Sequence, residues 1–188
     1  MTAADLLAAV VERLEAAQIP YMVAGSVASS FHGEPRSTRD IDVVIDPDDT
    51  RLQRLVDSFE PDRFYVGDAM EALRRRDQFN VIDTVTGWKV DLIIRKERGF
   101  SREEFARRRT VIVLGVPTSL ATAEDTILAK LEWAEAGASE RQLDDVVGIL
   151  EVSKDVVDEE YLHRWARELG VSELLERARA RGHEAEHW

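Results

Sequence analysis

The sequence of 188 residues contains no cysteine. This absence excludes disulfide bonds and thiolate catalysis, and it is typical of a cytoplasmic chain. Apolar runs long enough to span a bilayer are also missing. The first residues, from Met1 to Asp5, lack the basic start of a secretory signal. We therefore expect a soluble, cytoplasmic protein without a membrane partner.

Positive charge is scarce, because 25 Lys and Arg residues face 37 Asp and Glu residues and leave a net charge of −12. Proteins that bind duplex nucleic acid by broad phosphate neutralisation usually have a basic surface, so any such contact here must be local. Arg74–Arg76 and Arg107–Arg109 are the candidates, although such charge runs also occur as solvated faces and helix ends. An acidic chain can still bind nucleotides, since divalent cations bridge carboxylates to phosphates.

Two glycine-rich phosphate-binding motifs are also absent. The sequence has neither G-x-G-x-x-G nor G-x-x-x-x-G-K-[ST], which excludes the dinucleotide-binding and P-loop interpretations. An H-E-x-x-H pattern does occur, from His183 to His187. It lies in a polar segment at the end of the sequence with no later His or Glu to complete a zinc site, so we do not expect a metalloprotease.

The apolar pattern predicts an α+β fold in two parts. Residues 1–118 are predicted to form a mixed β-sheet core flanked by helices, and residues 119–188 a helical C-terminal segment packed on the core. The predicted core helices begin with residues 3–17 and a second helix from Gly25. Its strands are predicted over Tyr21–Ala24, Ile41–Ile45, Phe79–Asp83, Trp88–Ile94 and Thr110–Leu114, the third and fourth as a hairpin. The later helices are predicted over 122–136, 139–151, 158–169 and 171–182.

Three aspartates lie within the apolar strand patterns. Asp40 and Asp42 flank Ile41, and side chains two apart on a strand point to the same face. Asp91 lies inside the strand of residues 89–94, where an unpartnered charge is costly. Neighbouring carboxylates need a cation, and two Mg²⁺ ions, or Mn²⁺ in their place, would supply it. The alternative is that each aspartate caps a turn or pairs with a nearby base, namely Arg36, Arg39 or Lys89.

Gly25-Ser26 lies between a predicted strand and a predicted helix. Glycine at this position allows backbone N–H groups to approach a phosphate closely, and the helix N-terminus adds a favourable partial charge. The Ser26 hydroxyl is a further donor. Because Gly-Ser is also common in ordinary strand-to-helix turns, this pair predicts a phosphate site only together with the aspartates.

The order and spacing of these elements resemble a known signature. Val23-Ala24-Gly25-Ser26, thirteen intervening residues and Asp40-Ile41-Asp42-Val43, followed later by Val90-Asp91-Leu92, resemble the motif of the DNA polymerase β-type nucleotidyltransferase superfamily. The resemblance covers about residues 20–118. It implies that Asp40, Asp42 and Asp91 ligate metal and carry catalysis, and that Gly25 and Ser26 bind the nucleotide.

A narrower resemblance concerns the residues before Asp40 and the helical tail. The segment from Arg36 to Asp42 resembles the minimal nucleotidyltransferases of the AbiEii type, some of which are toxins of toxin–antitoxin systems. Residues 124–130 and 141–146 are similar to the helical motifs of that family. The resemblance implies nucleotide-binding roles for Arg39, Lys130 and Asp145. Asp144 stands where the family often has arginine, a departure from the second motif. The alternative for Lys130 is an ordinary helix-surface residue.

The expected activity is metal-dependent transfer of a nucleotide from a nucleoside triphosphate, such as ATP, to an acceptor hydroxyl with release of pyrophosphate. The AbiEii-type resemblance implies an RNA acceptor, such as tRNA, and an antitoxin partner; an antibiotic or protein hydroxyl is an open alternative. A different class of function is a regulatory module that binds a nucleotide or a partner without turnover. Such a module would be expected to lack one carboxylate, and all three are present.

Overall fold

A computed structural model describes residues 2–36, 38, 40–137 and 139–185, the last three of these by their backbone alone. The strands are β1 Tyr21–Ala24, β2 Asp40–Ile45, β3 Phe64–Val66, β4 Gln78–Asp83, β5 Lys89–Ile94, β6 Arg109–Val113 and β7 Val116–Leu120. The helices are α1 Ala3–Ala16, α2 Gly25–His32, α3 Asp49–Asp57, α4 Ala69–Arg75, α5 Gly99–Arg107, α6 Ala123–Gly137, α7 Glu140–Val152, α8 Glu159–Glu168 and α9 Ser172–Ala185. The predicted α+β class with a mixed sheet is confirmed.

The chain divides into two compact units. The first contains Met1–Ser26 and Ser37–Leu120, and the second contains Val27–Arg36 and Ala121–Trp188. All seven strands described belong to the first unit, and α6 to α9 belong to the second. The division falls inside α2, which begins in the first unit and continues in the second.

The first unit is built on a mixed sheet with the strand order β3-β4-β5-β2-β1-β7-β6. The pairs β2–β5 and β1–β7 are parallel, and the other neighbours are antiparallel. One face of the central strands is buried through alternate apolar residues, among them Ile41, Val81 and Val90. The alternate positions on these strands carry polar and half-buried residues. The sheet therefore has a core face and a second face that is partly open.

Helix α1 is stabilised by a buried apolar face and by a capped N-terminus. Its apolar residues recur at helical spacing and are all buried: Leu6, Leu7, Val10, Val11 and Leu14. Thr2 caps the helix, because the Asp5 N–H donates to the Thr2 hydroxyl over 3.2 Å and the Thr2 N–H donates to the Asp5 carboxylate over 2.7 Å. Each fully buried leucine or valine contributes about 1.5–3 kcal/mol relative to exposure.

The second unit is a helical bundle in which α6 packs on α7 and α8, and α7 and α8 pack on α9. Buried polar contacts join α6 to α8. The Asp125 carboxylate accepts hydrogen bonds from the Tyr161 hydroxyl over 2.5 Å and from the Thr122 hydroxyl over 2.8 Å. The Glu124 carboxylate accepts from the Asp158 N–H over 2.8 Å. These bonds compensate the acidic groups for their loss of water. None of the helices in the described part of the chain is long and apolar enough to cross a membrane.

Candidate functional site

The three predicted aspartates come together on the partly open face of the sheet. In the parallel β2–β5 pair, Asp42 lies directly opposite Asp91, and Asp40 lies opposite Lys89. Residues opposite each other on neighbouring strands share a face, and the strands are about 4.8 Å apart. Asp40, Asp42 and Asp91, here named the acidic cluster, therefore project from adjacent positions of two hydrogen-bonded strands.

The members of the acidic cluster differ in exposure. The Asp40 side chain, at the start of β2, is 53% exposed, whereas the Asp91 side chain is only 11% exposed. Asp42 is half-buried between them. Beneath the cluster, Ile41 and Val90 are fully buried on the other face. The cluster is thus open to solvent at Asp40 and enclosed at Asp91, where charges interact more strongly because water screens them less.

Lys89 provides a positive charge within the acidic cluster. Its Nζ atom donates a hydrogen bond to Asp91 Oδ2 over 2.8 Å and lies 3.8 Å from Asp40 Oδ1. The hydrogen bond to Asp91 and the charges of all three aspartates raise the pKa of Lys89 against the opposing effect of burial. Ion pairing was the alternative interpretation of these aspartates, and Lys89 does pair with two of them. Arg36, also offered as a partner, pairs elsewhere.

Gly25 lies directly against Asp42. It has a left-handed backbone (φ +58°), and a Cβ atom added to it would lie 1.9 Å from Asp42 Oδ2 and 2.6 Å from Asp42 Cγ. The backbone angle therefore favours glycine, and the clearance requires it. Since Gly25 is the first residue of α2, the end of the helix that attracts anions meets the acidic cluster at this point. Ser26 is the next residue of the same turn.

Asn80 is a further candidate residue of the functional site, which the sequence did not predict. It lies on β4 opposite Asp91, half-buried and on the same face. The row Asn80–Asp91–Asp42–Ala24 runs across four neighbouring strands. A signal was available, because Asn80 is a polar residue between the apolar Phe79 and Val81. Its alignment with Asp91 follows only from the hairpin register.

Asp83 is a buried aspartate with a structural role. It ends β4, is fully buried, and accepts hydrogen bonds from the backbone N–H groups of Val85 and Thr86 over 2.9 and 3.3 Å. Arg63 donates to it over 3.4 Å. Burial opposes ionisation, but these hydrogen bonds outweigh it and lower the pKa of Asp83. Its acceptor capacity is used by the turn before β5.

Lys130 and Asp145, predicted to bind the nucleotide, meet within the second unit. Lys130 Nζ lies 2.6 Å from Asp145 Oδ2 and donates to Gln142 Oε1 over 2.9 Å. Arg36 pairs with the same carboxylate through two nitrogens, each at 2.7 Å. The Lys130 and Asp145 side chains are 6% and 8% exposed, so Lys130 is not the exposed helix residue of the alternative interpretation. Burial raises the pKa of Asp145, but the bonds from Arg36 and Lys130 prevail and lower it.

Several other predicted features lie outside the acidic cluster. Arg74 and Arg75 pair with Glu71 on α4, and Arg76 pairs with Glu97, as expected for a helix end. Arg39 lies outside the described residues. The H-E-x-x-H pattern cannot be placed either, since its side chains also lie outside them.

The chemistry of the acidic cluster fits a divalent cation. Carboxylate oxygens are the ligands that Mg²⁺ prefers, and three carboxylates project from adjacent positions of β2 and β5. As the side chains stand, however, no group of three or more His, Asp or Glu residues in the described part of the chain is arranged to hold a metal ion. Lys89 is a cation that contacts the cluster in this arrangement.

No protein-family model and no curated protein matches the sequence. Several solved structures are similar in fold, including the following three. A nucleotidyltransferase-like antigenic protein from Paracoccidioides brasiliensis has a TM-score of 0.57 at 17% identity, over 92% of this chain and 91% of that one. The lincosamide antibiotic adenylyltransferase LnuA, with lincomycin bound, has a TM-score of 0.56 at 12% identity, over 81% of this chain and 98% of that one. ANT(2")-Ia in complex with adenylyl-2"-tobramycin has a TM-score of 0.56 at 14% identity, over 96% of this chain and 99% of that one. The chain thus has the fold of nucleotidyltransferases.

Proposed function

We propose that this protein is a metal-dependent nucleotidyltransferase, which transfers a nucleotide from a nucleoside triphosphate to an acceptor hydroxyl and releases pyrophosphate. The observation that carries the proposal is the position of Asp42. It lies opposite Asp91 on the neighbouring strand and against Gly25 at the start of a helix. One place thus combines carboxylates for a cation with a helix N-terminus for phosphate. The similarity of fold supports the same class of reaction.

Asp40, Asp42 and Asp91 would hold Mg²⁺, with Mn²⁺ as a substitute. The metal, for which we expect two ions, would neutralise phosphate charge and lower the pKa of the acceptor hydroxyl. Gly25 and Ser26 would bind the β- and γ-phosphates through backbone N–H groups and the serine hydroxyl. Asp91, the most enclosed carboxylate, would accept the hydroxyl proton.

In this reaction the acceptor oxygen attacks the α-phosphorus in line. A bond forms between that oxygen and phosphorus, the bond from phosphorus to the oxygen bridging the α- and β-phosphates breaks, and pyrophosphate leaves. The roles of Arg39, Lys130 and Asp145 in nucleotide binding stay predictions from the family resemblance. Lys130 is engaged by Asp145 and Gln142 in the second unit.

For the acceptor we propose RNA first, with tRNA as the test case. This choice is based on the resemblance of residues 36–42 to AbiEii-type enzymes, and a toxin role with an antitoxin partner would follow from it. A second candidate is a cationic small molecule. The net charge of −12 would attract such an acceptor, and two of the similar structures are described with lincomycin or adenylyl-tobramycin.

The experiment incubates the protein with Mg²⁺ and each α-labelled nucleoside triphosphate, with total RNA in one series and a panel of antibiotics in the other. Label on RNA supports the first acceptor, and label on a small molecule supports the second. The control is the double variant Asp40→Ala/Asp42→Ala, which should label neither. If the triphosphates bind without transfer or pyrophosphate release in any series, the non-catalytic module is the better description.

A further inference from the structure

Lys89 is a positively charged residue among the aspartates on the partly open face of the sheet. It is the first residue of β5, two residues before Asp91, and it lies directly opposite Asp40 of β2. This register places it next to the aspartates of both strands. Its Nζ lies 2.8 Å from Asp91 Oδ2 and 3.8 Å from Asp40 Oδ1. The side chain is about one-third exposed, which leaves room for its flexible stem to move.

The acidic cluster requires a cation at this place. Carboxylates on adjacent strand positions repel one another, and the repulsion is strongest where Asp91 is enclosed and poorly screened. An ammonium that donates a 2.8 Å hydrogen bond to Asp91 removes much of this cost. A divalent cation would satisfy the same requirement with the same oxygen atoms. A divalent cation at this place would therefore compete with Lys89 for Asp91.

We propose that Lys89 is a displaceable counter-ion of the acidic cluster, which a divalent cation must expel from Asp91 in order to bind there. This proposal rests on the proposed function, because it takes the three aspartates as metal ligands. It accounts for the absence of a ready-made metal site among the described side chains. It also sets an order of binding: free metal binds weakly, and metal enters effectively with the phosphates, which add ligands and negative charge.

A different result is expected if the ion pair between Lys89 and Asp91 only stabilises the fold. In that case the loss of Lys89 would lower stability and leave metal affinity unchanged. A competing counter-ion predicts that the loss of Lys89 lowers the stability of the metal-free protein but strengthens metal binding, since the metal no longer displaces anything. The sign of the change in metal affinity separates the two roles.

The test measures Mn²⁺ binding to the full chain without nucleotide, from the electron paramagnetic resonance signal of free Mn²⁺. Lys89→Met is expected to bind Mn²⁺ at least about tenfold more tightly than wild type, because a hydrogen bond between charged groups no longer has to be broken. Lys96→Met, which removes an exposed lysine close by on the chain, is expected to match wild type. Adding Asp42→Asn to Lys89→Met should abolish the gain.

Equal or weaker Mn²⁺ binding by Lys89→Met would overturn the proposal. If wild type in that case still transfers label from a nucleoside triphosphate, only the role of Lys89 is wrong. If no variant binds Mn²⁺ and wild type transfers no label, the proposed function fails as well. Circular dichroism checks that Lys89→Met is folded. Should it not fold, Lys89→Gln replaces it, and a smaller gain of the same sign is expected, because a neutral donor to Asp91 is easier to displace than an ammonium.

Discussion

At the scale of single residues, Gly25 has two independent constraints. Its φ of +58° is a conformation in which an L-residue costs about 1–2 kcal/mol, and its missing side chain leaves room for the Asp42 carboxylate. The two effects can be separated, because Gly115 has a similar backbone angle (φ +81°) with nothing within 4 Å of an added Cβ.

We expect Gly25→Ala to lose more stability than Gly115→Ala and to weaken Mg²⁺-nucleotide binding at least about tenfold, since the new methyl group displaces Asp42. Gly115→Ala should lose about 1–2 kcal/mol of unfolding free energy through strain alone and bind nucleotide as wild type does. Urea denaturation and calorimetric titration measure the two quantities. Identical behaviour of both variants would show that the contact with Asp42 has no role in binding.

Single residues also show what the sequence could and could not predict. Asp40 and Asp42 could be placed on one face because the two-residue period of a strand is a local property. The contact of Lys89 with Asp91 and Asp40 depends on the parallel register of β2 and β5, strands separated by more than forty residues. No local pattern fixes that register, so Lys89 could be offered only as one of three possible partners. The alignment of Asn80 with Asp91 depends on the register of the β4–β5 hairpin, and the predicted hairpin did not include that register.

At the scale of elements, the Asp145 carboxylate joins α6 and α7 to the segment that follows α2. It is the common partner of Lys130 and Arg36, and both Asp145 and Lys130 are nearly inaccessible. Removing one member of a buried ion cluster leaves the others uncompensated, which costs far more than the loss of a surface pair.

We therefore expect Asp145→Asn to lower the free energy of unfolding by about 3 kcal/mol. Asp144→Asn is the matched control. Asp144 is the preceding residue of the chain, and its side chain is 61% exposed and pairs with Arg181 at the surface. That substitution should cost less than about 1 kcal/mol. Chemical denaturation checks both values, and similar losses in the two variants would mean that burial adds nothing to the Asp145 cluster.

The turn between β4 and β5 gives a prediction about pH. The folded-state pKa of Asp83 is lowered, although burial opposes this, by the hydrogen bonds from Val85 and Thr86. Its contribution to stability is therefore present above the unfolded pKa of about 3.9 and is lost as pH falls through the lower folded value.

Unfolding free energy measured from pH 6 down to pH 3 should consequently fall less in Asp83→Asn than in wild type. Asp62→Asn, at an exposed position nearby, should follow the wild-type curve. A wild-type slope in Asp83→Asn would contradict the assigned role of the turn.

The elements that the sequence did not predict have identifiable reasons. Strand β3 has only three residues, too few for an alternating pattern. Strand β7 contains Pro117, which argues against a strand in the interior of a sheet, yet β7 lies between β1 and β6. Helix α5 begins with a glycine and has a weak apolar stripe. For β3 and β7, pairing with a neighbouring strand outweighs the weak local pattern.

At the scale of the whole molecule, the change from a mixed pattern to helices alone predicted two parts. It did not predict that Val27–Arg36 belongs with the later helices. Contacts within the second unit explain the assignment: the His32 ring bonds to the Ala121 carbonyl over 2.8 Å, and the Ser153 hydroxyl donates to the His32 carbonyl over 2.8 Å. Gly33 fits against the backbone of Ile149. Such long-range contacts are invisible to local patterns.

For the whole protein, the proposed activity depends on the acidic cluster, where we place nucleotidyl transfer. The most direct test compares wild type with Asp91→Asn in the rate of label transfer from an α-labelled nucleoside triphosphate, with nucleotide binding measured alongside. We predict a rate lower by about 10²–10⁴-fold, because the amide cannot accept the hydroxyl proton, while nucleotide affinity changes much less. Transfer by Asp91→Asn at the wild-type rate would show that the acidic cluster does not carry out nucleotidyl transfer.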